Sequence, residues 1–130
     1  MNETRHQLPK PTEVELELLR ALWDKGSATV RELYDVVSQQ RSLGYTSVLK
    51  TLQIMTDKGL VGRTEAGKAH IYRAAASQEE TQNQLLRDLS ARLFAGSAAQ
   101  LAMHALSMEP ASADELDEIR RIIRQKKERR

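Results

Sequence analysis

The sequence contains no cysteine and few aromatic residues, and these two absences restrict what the protein can be. Without cysteine the chain can form no disulfide, no thiolate metal site and no cysteine nucleophile. Aromatic residues make up 4% of the chain, so the core must consist mainly of leucine, isoleucine, valine, methionine and alanine. Such a core favours helices packed on helices over a β-sandwich.

The sequence also lacks long apolar runs and the motifs of common catalytic sites. No apolar segment approaches the roughly 18 residues that a membrane span requires, and the polar start lacks a signal-peptide core. We therefore expect a cytoplasmic protein without membrane insertion. No phosphate-binding loop, dinucleotide glycine pattern, nucleophile elbow or H-E-x-x-H motif occurs, and His6, His70 and His104 lack ligand spacing. The sequence thus predicts no enzyme, no cofactor and no metal site.

The charge of the chain is small but unevenly distributed. The net charge is +2 over 130 residues, a length that allows one domain or a small domain with an oligomerisation element. Residues 41–73 carry six lysines and arginines against two acidic residues, whereas residues 1–40 carry five against seven. The basic excess predicts that the middle of the chain faces nucleic-acid phosphates.

Residues 12–40 predict two short amphipathic helices. Thr12 and Glu15 form a capping-box pattern at the start of the first helix. Leucines and valines recur at helical spacing, with Trp23 expected in the core and the acidic residues, Glu15 among them, on other faces. Thr29 opens the second helix with the same pattern, and we expect that helix to run to about residue 40.

Residues 44–73 predict a third helix and a β-hairpin. Thr46 or Ser47 is expected to cap the helix. Strands at residues 60–64 and 69–73 are expected to flank a glycine-containing turn of four residues. Three helices followed by a hairpin, the wing, is the order of a winged helix-turn-helix, whose third helix enters a DNA major groove.

The third helix has an apolar face and a polar face. Val48, Leu52 and Met55 lie on one stripe and are expected in the core. The opposite face carries hydroxyls, an amide and a lysine, which suit a DNA groove, although an ordinary solvated face has the same composition. Ile54 could contact a thymine methyl group or pack against the first helix or the wing. The residues predicted to bind DNA, in this helix and in the basic wing, are Thr46, Ser47, Lys50, Thr51, Gln53, Ile54, Arg63, Lys68, His70 and Arg73.

The character of the sequence changes after the wing, and we expect a DNA-binding domain over residues 1–76 and a helical domain over residues 77–130. Ser77 and Ser112 begin capping-box patterns of further helices. Their apolar stripes are too few and too one-sided to be buried within so short a domain. A second copy of the chain would cover them, although they could also fold back on the first domain. The residues expected in the dimer interface are Leu85, Leu86, Leu89, Leu93, Leu101, Leu106, Leu116, Ile119 and Ile123.

The sequence therefore predicts a mainly α-helical fold with a small β-hairpin wing, in which a winged helix-turn-helix domain precedes a helical dimerisation domain. From Leu8 to about Ile123 it resembles the penicillinase-repressor family of winged-helix regulators (the BlaI/MecI type). The resemblance implies a homodimeric repressor that binds a double-stranded DNA operator of dyad symmetry through helix three and the wing. The segments that carry the resemblance are Pro11–Leu16 with Leu22-Trp23, Thr29–Glu32, Tyr45–Leu52, Asp57–Val61 and Glu115–Arg120.

The resemblance also implies a mode of release. In the best-known members a membrane sensor metalloprotease triggers cleavage of the repressor at an Asn-Phe pair in its dimerisation region. This chain has no Asn-Phe pair and carries Met103-His104-Ala105-Leu106 in that region. Related copper-responsive repressors use a C-terminal cysteine cluster, which this chain lacks. The alternative function is a protein-interaction module whose winged helix does not bind DNA and whose helical tail binds a partner protein.

Overall fold

The computed structural model describes residues 10–129, so the polar start of the sequence lies, up to residue 9, outside the described residues. The three strands form one antiparallel sheet in the order β1-β3-β2. The chain divides into a first compact unit that ends at Leu85 and a second unit that begins at Leu86. In chain order the elements are α1 (Glu13–Lys25), β1 (Ala28–Thr29), α2 (Val30–Val37), α3 (Tyr45–Lys58), β2 (Val61–Ala66), β3 (Ala69–Ala74), α4 (Gln78–Leu93), α5 (Ala98–Met108) and α6 (Ala113–Glu128). The predicted mainly helical fold with a small hairpin is confirmed.

The capping boxes predicted for the first two helices are present. The backbone N–H of Glu15 donates to Thr12 Oγ1 at 3.2 Å, and that of Thr12 donates to Glu15 Oε1 at 2.9 Å. The same pair of bonds begins α2. The prediction that α2 reaches residue 40 is wrong, because the N–H groups of Gln39 and Gln40 bond three residues back and tighten the chain into a turn after Val37.

The start of α3 differs from the prediction. Gly44 is the N-cap residue, with extended backbone angles and no side-chain bond to the first-turn amides. The prediction of Thr46 or Ser47 as the cap is wrong, because both already lie in the first helical turn, and glycine tolerates the N-cap position. At the other end Gly59 adopts a left-handed conformation that ends the helix.

The hairpin is tighter than predicted. Strand pairing continues to Ala66 and Ala69, so the turn consists of only Gly67 and Lys68. Gly67 has φ +65°, which a two-residue hairpin turn of this kind requires. The third strand, β1, pairs with the centre of β3 and was not predicted, since two residues are too short to show a strand alternation.

The core lies in the first unit, among α1, α2, α3 and the sheet. Trp23, expected inside, is only partly buried at the edge of this core, where its indole Nε1–H donates to the Ala76 carbonyl at 2.9 Å. Glu15, expected on a face other than the apolar stripe, is nevertheless buried, because the helix cap and Lys58 hold its carboxylate inside. The buried apolar residues are Leu18, Leu19, Ala21, Leu22, Ala28, Val30, Leu33, Val37, Val48, Leu52, Met55, Leu60, Val61 and Tyr72.

The second unit leaves its apolar side chains largely uncovered. The chain breaks after α4, with positive φ at Ala95 and Gly96. No residue of α5 or α6 is buried within the described range 10–129. The two compact units meet inside α4, whereas the functional boundary after residue 76 remains a prediction. The exposed large apolar residues of this unit are Leu86, Leu93, Met103, Leu106, Met108, Leu116, Ile122 and Ile123.

Candidate nucleic-acid interface

The rotation of α3 about its own axis is fixed by its apolar face. Val48, Leu52 and Met55 are fully buried in the core of the first unit, as predicted. The opposite face of the helix must therefore point to solvent. The predicted DNA-binding residues that are exposed there are Thr46, Ser47, Lys50, Gln53 and Ile54.

Two members of this face have a more definite environment. The hydroxyl of half-buried Thr51 donates to the Ser47 carbonyl at 2.9 Å, so its proton is used within the helix and only acceptor capacity remains. The side chain of Ile54 is 44% exposed, so the alternative in which it packs firmly against α1 or the wing is not the arrangement found. An exposed isoleucine beside hydroxyls and an amide is a surface that can contact both the apolar and the polar parts of a base edge.

The strand register separates the predicted wing residues onto two faces. Arg63 is opposite Tyr72, and neighbouring residues of a strand point to alternate faces, so Arg63 shares the face of the sheet that reaches the core. His70 is on that same face, half-buried and opposite Glu65. Arg73 is opposite Gly62 and therefore lies on the other face. The structure thus brings Arg63 and His70 together on one face and does not bring Arg73 to them.

The basic residues of the wing also differ in their position along the hairpin. Lys68 lies in the turn at the tip and is exposed. Arg73 lies near the base, where it lines a groove of about 270 Å³ with Trp23 and Gly26 of the α1 end. The tip of the wing therefore carries the charge of Lys68, while the charge of Arg73 is held beside α1.

Two of the six basic residues in the segment 41–73 are neutralised within the molecule. Arg41 contacts Glu17 at 2.8 Å and Glu13 at 3.3 Å, and the hydrogen bond that it donates to Glu17 is the main reason that the pKa of Arg41 is raised. Lys58 pairs with Glu15. The basic excess in the sequence therefore overstates the charge that can face phosphates. The cations of the segment 41–73 that form no ion pair with another residue of the described range 10–129 are Lys50, Arg63, Lys68 and Arg73.

A cluster that the sequence did not predict adjoins the first turn of α3. Arg31 of α2 lies with its Cζ 4.9 Å from the ring centroid of Tyr45 and 5.6 Å from that of Tyr34. The two rings are edge to face, with centroids 5.8 Å apart. The spacing of Arg31 and Tyr34 on one helix face was visible in the sequence, but the contact with Tyr45 depends on how α2 packs on α3.

The described part of the chain lacks two features, a metal-binding cluster and a membrane-spanning helix. Residues 10–129 contain no group of three or more histidine, aspartate and glutamate side chains placed to hold a metal ion. In that same range no helix combines the length and the apolar character needed to cross a membrane.

The order of elements and the exposed third helix define a winged-helix protein. The family model described as Penicillinase repressor matches residues 11–125, and the chain belongs to this family of transcriptional repressors. The family resemblance inferred from the sequence is therefore confirmed.

Relatives and a solved structure agree with this assignment. The chain is 29% identical over 118 residues to the transcriptional regulator BlaI of Mycobacterium tuberculosis, covering 90% of this chain and 85% of the relative. It is 20% identical over 112 residues to the methicillin resistance regulatory protein MecI of Mammaliicoccus sciuri, covering 86% and 91%. The monomeric form of BlaI from Bacillus licheniformis, solved with the blaP half-operator, superposes with a TM-score of 0.51 at 18% identity over 57% of this chain and 90% of that one. At that identity the likeness concerns the fold alone.

Proposed function

We propose that the protein is a transcriptional repressor that binds a double-stranded DNA operator of dyad symmetry as a homodimer. The observation that carries the proposal is the exposed polar face of α3, whose direction is fixed by the buried Val48, Leu52 and Met55. In this class of protein such a helix lies in the major groove. BlaI of Bacillus licheniformis, which has the same fold, was solved in complex with a half-operator.

The exposed side chains of α3 favour single hydrogen bonds and small apolar contacts with bases. Thr46, Ser47 and Gln53 can donate to and accept from base edges, while Lys50 neutralises a phosphate. Ile54 is exposed enough to contact a thymine methyl group. The exposed face carries no arginine for a bidentate contact with guanine. Half-site spacing and DNA shape therefore contribute much of the specificity.

The wing contributes phosphate contacts unequally. Lys68 at the tip and Arg63 on the inner face are the residues best placed to follow a phosphate backbone. His70 is half-buried and opposite the acidic Glu65, so it is less suited to a phosphate contact than Lys68 or Arg63. Of the ten predicted DNA-binding residues, Arg73 at the base of the wing contributes least to DNA binding.

A second copy of the chain covers the apolar surface of the second unit. Leu86 and Leu101 line an open apolar cleft of about 620 Å³ together with Ala102 and Ala105. Exposed apolar surface of this extent is unfavourable in water and marks an interface. An identical partner gives a twofold dimer, which matches two half-sites of a dyad-symmetric operator. The interface residues are Leu85, Leu86, Leu89, Leu93, Leu101, Leu106, Leu116, Ile119 and Ile123.

Release from DNA follows from a signal that separates the two copies. The family's membrane sensor metalloprotease is the first candidate for the source of that signal. The region in which other members are cut corresponds here to the second half of α5, where Met103 and Leu106 are exposed. Because the Asn-Phe pair is absent, a protease acting here would recognise different residues.

A DNA titration tests the repressor function. Fluorescence anisotropy of the DNA upstream of the protein's own gene, and of a scrambled duplex of equal length, is measured at about 50 and about 200 mM salt. We expect at least about 10³-fold tighter binding to the upstream DNA, and weaker binding to both duplexes at the higher salt. No binding to either duplex at low salt would refute the proposal and support the protein-interaction module.

A further inference from the structure

Arg31, Tyr34 and Tyr45 form a cation–aromatic cluster that connects α2 to the beginning of α3. The guanidinium lies within 6 Å of both ring centroids, the range in which a cation is attracted to an aromatic face. Tyr45 is the first residue of α3, and Thr46 and Ser47 follow it. The cluster therefore fixes the end of α3 that presents these two hydroxyls.

The N–H groups of Arg31 remain available for an outside acceptor. A guanidinium carries five N–H donors, and the attraction of its charge to a ring face does not use all of them. Among residues 10–129 Arg31 forms no ion pair. The carboxylate of its neighbour Glu32 accepts instead from the backbone N–H of Thr29 at 2.8 Å.

Helix α2 does not itself favour the positive charge of Arg31. Arg31 lies in the first turn of α2, where the helix dipole disfavours positive charge. The cation–π contacts with Tyr34 and Tyr45 hold the side chain there nonetheless. An anion that binds Arg31 from outside the chain would offset this unfavourable charge.

In a helix-turn-helix the first helix of the motif crosses the DNA backbone while the second lies in the groove. Here these helices are α2 and α3, and the cluster joins their first turns. We propose that Arg31, oriented by Tyr34 and Tyr45, binds a DNA phosphate at the edge of the groove that α3 enters. The proposal rests on the proposed function and adds a contact outside the ten residues predicted from sequence.

Loss of the Arg31 charge and loss of its aromatic contact should affect DNA binding differently. Arg31→Gln removes the phosphate contact and should weaken binding to specific and scrambled DNA alike, by about tenfold, the equivalent of one charge-assisted hydrogen bond. It should also reduce the slope of log K against log salt by about 0.9. Tyr45→Leu keeps the charge of Arg31 but removes one aromatic contact that orients its side chain. It should therefore weaken DNA binding while leaving the salt slope unchanged.

The experiment measures anisotropy titrations of the full chain at four salt concentrations for wild type, Arg31→Gln, Arg31→Lys and Tyr45→Leu. Arg20→Gln, which removes an exposed cation of α1, is the matched control. Arg31→Lys should restore the slope but only part of the affinity. A slope for Arg31→Gln equal to that of wild type overturns the proposal, while failure of the wild type to bind any DNA overturns the proposed function instead. If Arg31→Gln does not fold, a Tyr45→Leu variant that binds as tightly as wild type overturns the proposal.

Discussion

Lys58 Nζ lies 2.8 Å from Glu15 Oε1, and this ion pair joins the last turn of α3 to the first turn of α1. The side chain of Glu15 is 4% exposed and that of Lys58 is 32% exposed. The same carboxylate oxygen accepts the backbone N–H of Thr12 in the α1 capping box. One buried carboxylate therefore begins α1 and also anchors the helix that we propose to enter the DNA groove.

Removal of Lys58 should destabilise the first unit. In Lys58→Met the Glu15 carboxylate stays inside with its capping bonds but without its cation, a loss that we expect to cost about 1–3 kcal/mol. Urea denaturation followed by circular dichroism measures this free energy of unfolding. Arg120→Met is the matched control, because the pair between Arg120 and Asp117 is exposed and should contribute little.

Equal midpoints for wild type and Lys58→Met would contradict this assignment. That result would mean that the capping bonds from Thr12 and residual solvation suffice for the Glu15 carboxylate. A loss of similar size in Arg120→Met would also contradict it, because stability would then follow the number of charges rather than their burial.

Glu15 should make stability depend on pH in the acid range. Burial raises its pKa more than any other single effect, but the hydrogen bonds from Lys58 and Thr12 and the charge of Lys58 together bring the pKa below the ordinary value of 4.5. A carboxyl whose pKa is lowered in the folded state stabilises the fold above the ordinary pKa and loses that stabilisation as the pH falls through the folded pKa. We therefore expect the contribution of Glu15 to be complete at neutral pH and to decrease below pH 4.5.

The measurement compares wild type with Glu15→Gln, which cannot ionise. Urea denaturation at about pH 7 and about pH 3 should show wild type to be the more stable by a margin that shrinks in acid. A margin that is constant with pH would mean that the ionised form of Glu15 is not the stabilising one.

The parts of the fold that depend on neighbouring residues were predictable, and those that depend on distant ones were not. Capping boxes and helix faces involve residues within one or two turns, so the start of α1 and the buried Val48 follow from the sequence. The bond between Glu15 and Lys58 spans 43 positions, and no local pattern contains it. The opposite faces of Arg63 and Arg73 depend on strand register, which the charge pattern alone does not reveal.

Lys50 should contribute one phosphate contact. Lys50 is exposed on the outer face of α3, so Lys50→Ala should weaken binding to all DNA sequences and reduce the salt slope by about 0.9. Anisotropy titrations at several salt concentrations measure both quantities. Arg20→Ala removes the same charge from α1 and should leave the slope unchanged. Equal slopes for wild type and Lys50→Ala would place α3 away from the phosphates.

The two arginines of the wing should differ in their effect on DNA binding. Arg63 shares the inner face of the sheet, while Arg73 lies on the opposite face beside the end of α1. Arg63→Ala should therefore lower the salt slope by about 0.9, whereas Arg73→Ala should change it little. Each variant removes one charge and serves as the control of the other. The reverse order of effects would mean that the outer face of the wing contacts DNA.

Charge placed in the apolar surface of the second unit should separate the proposed dimer. Leu89→Glu should give monomers, but Leu89 is half-buried, so Leu93→Glu is the safer variant because Leu93 is 66% exposed and its change should not unfold the chain. Light scattering after size exclusion measures the mass, and anisotropy measures operator binding. Gln82→Glu, an exposed change on the same helix, is the control.

If the protein binds its operator as a homodimer, as proposed, its mass and its DNA affinity must change together. A monomer holds one half-site, so its affinity for the full operator should approach its affinity for an isolated half-site, while wild type gains from binding two half-sites about 34–36 Å apart or a multiple of that distance. Leu93→Glu monomers that bind the operator as tightly as wild type would show that the second unit serves another partner. A wild type that is itself monomeric at micromolar concentration would contradict the assignment of the apolar surface to a second copy.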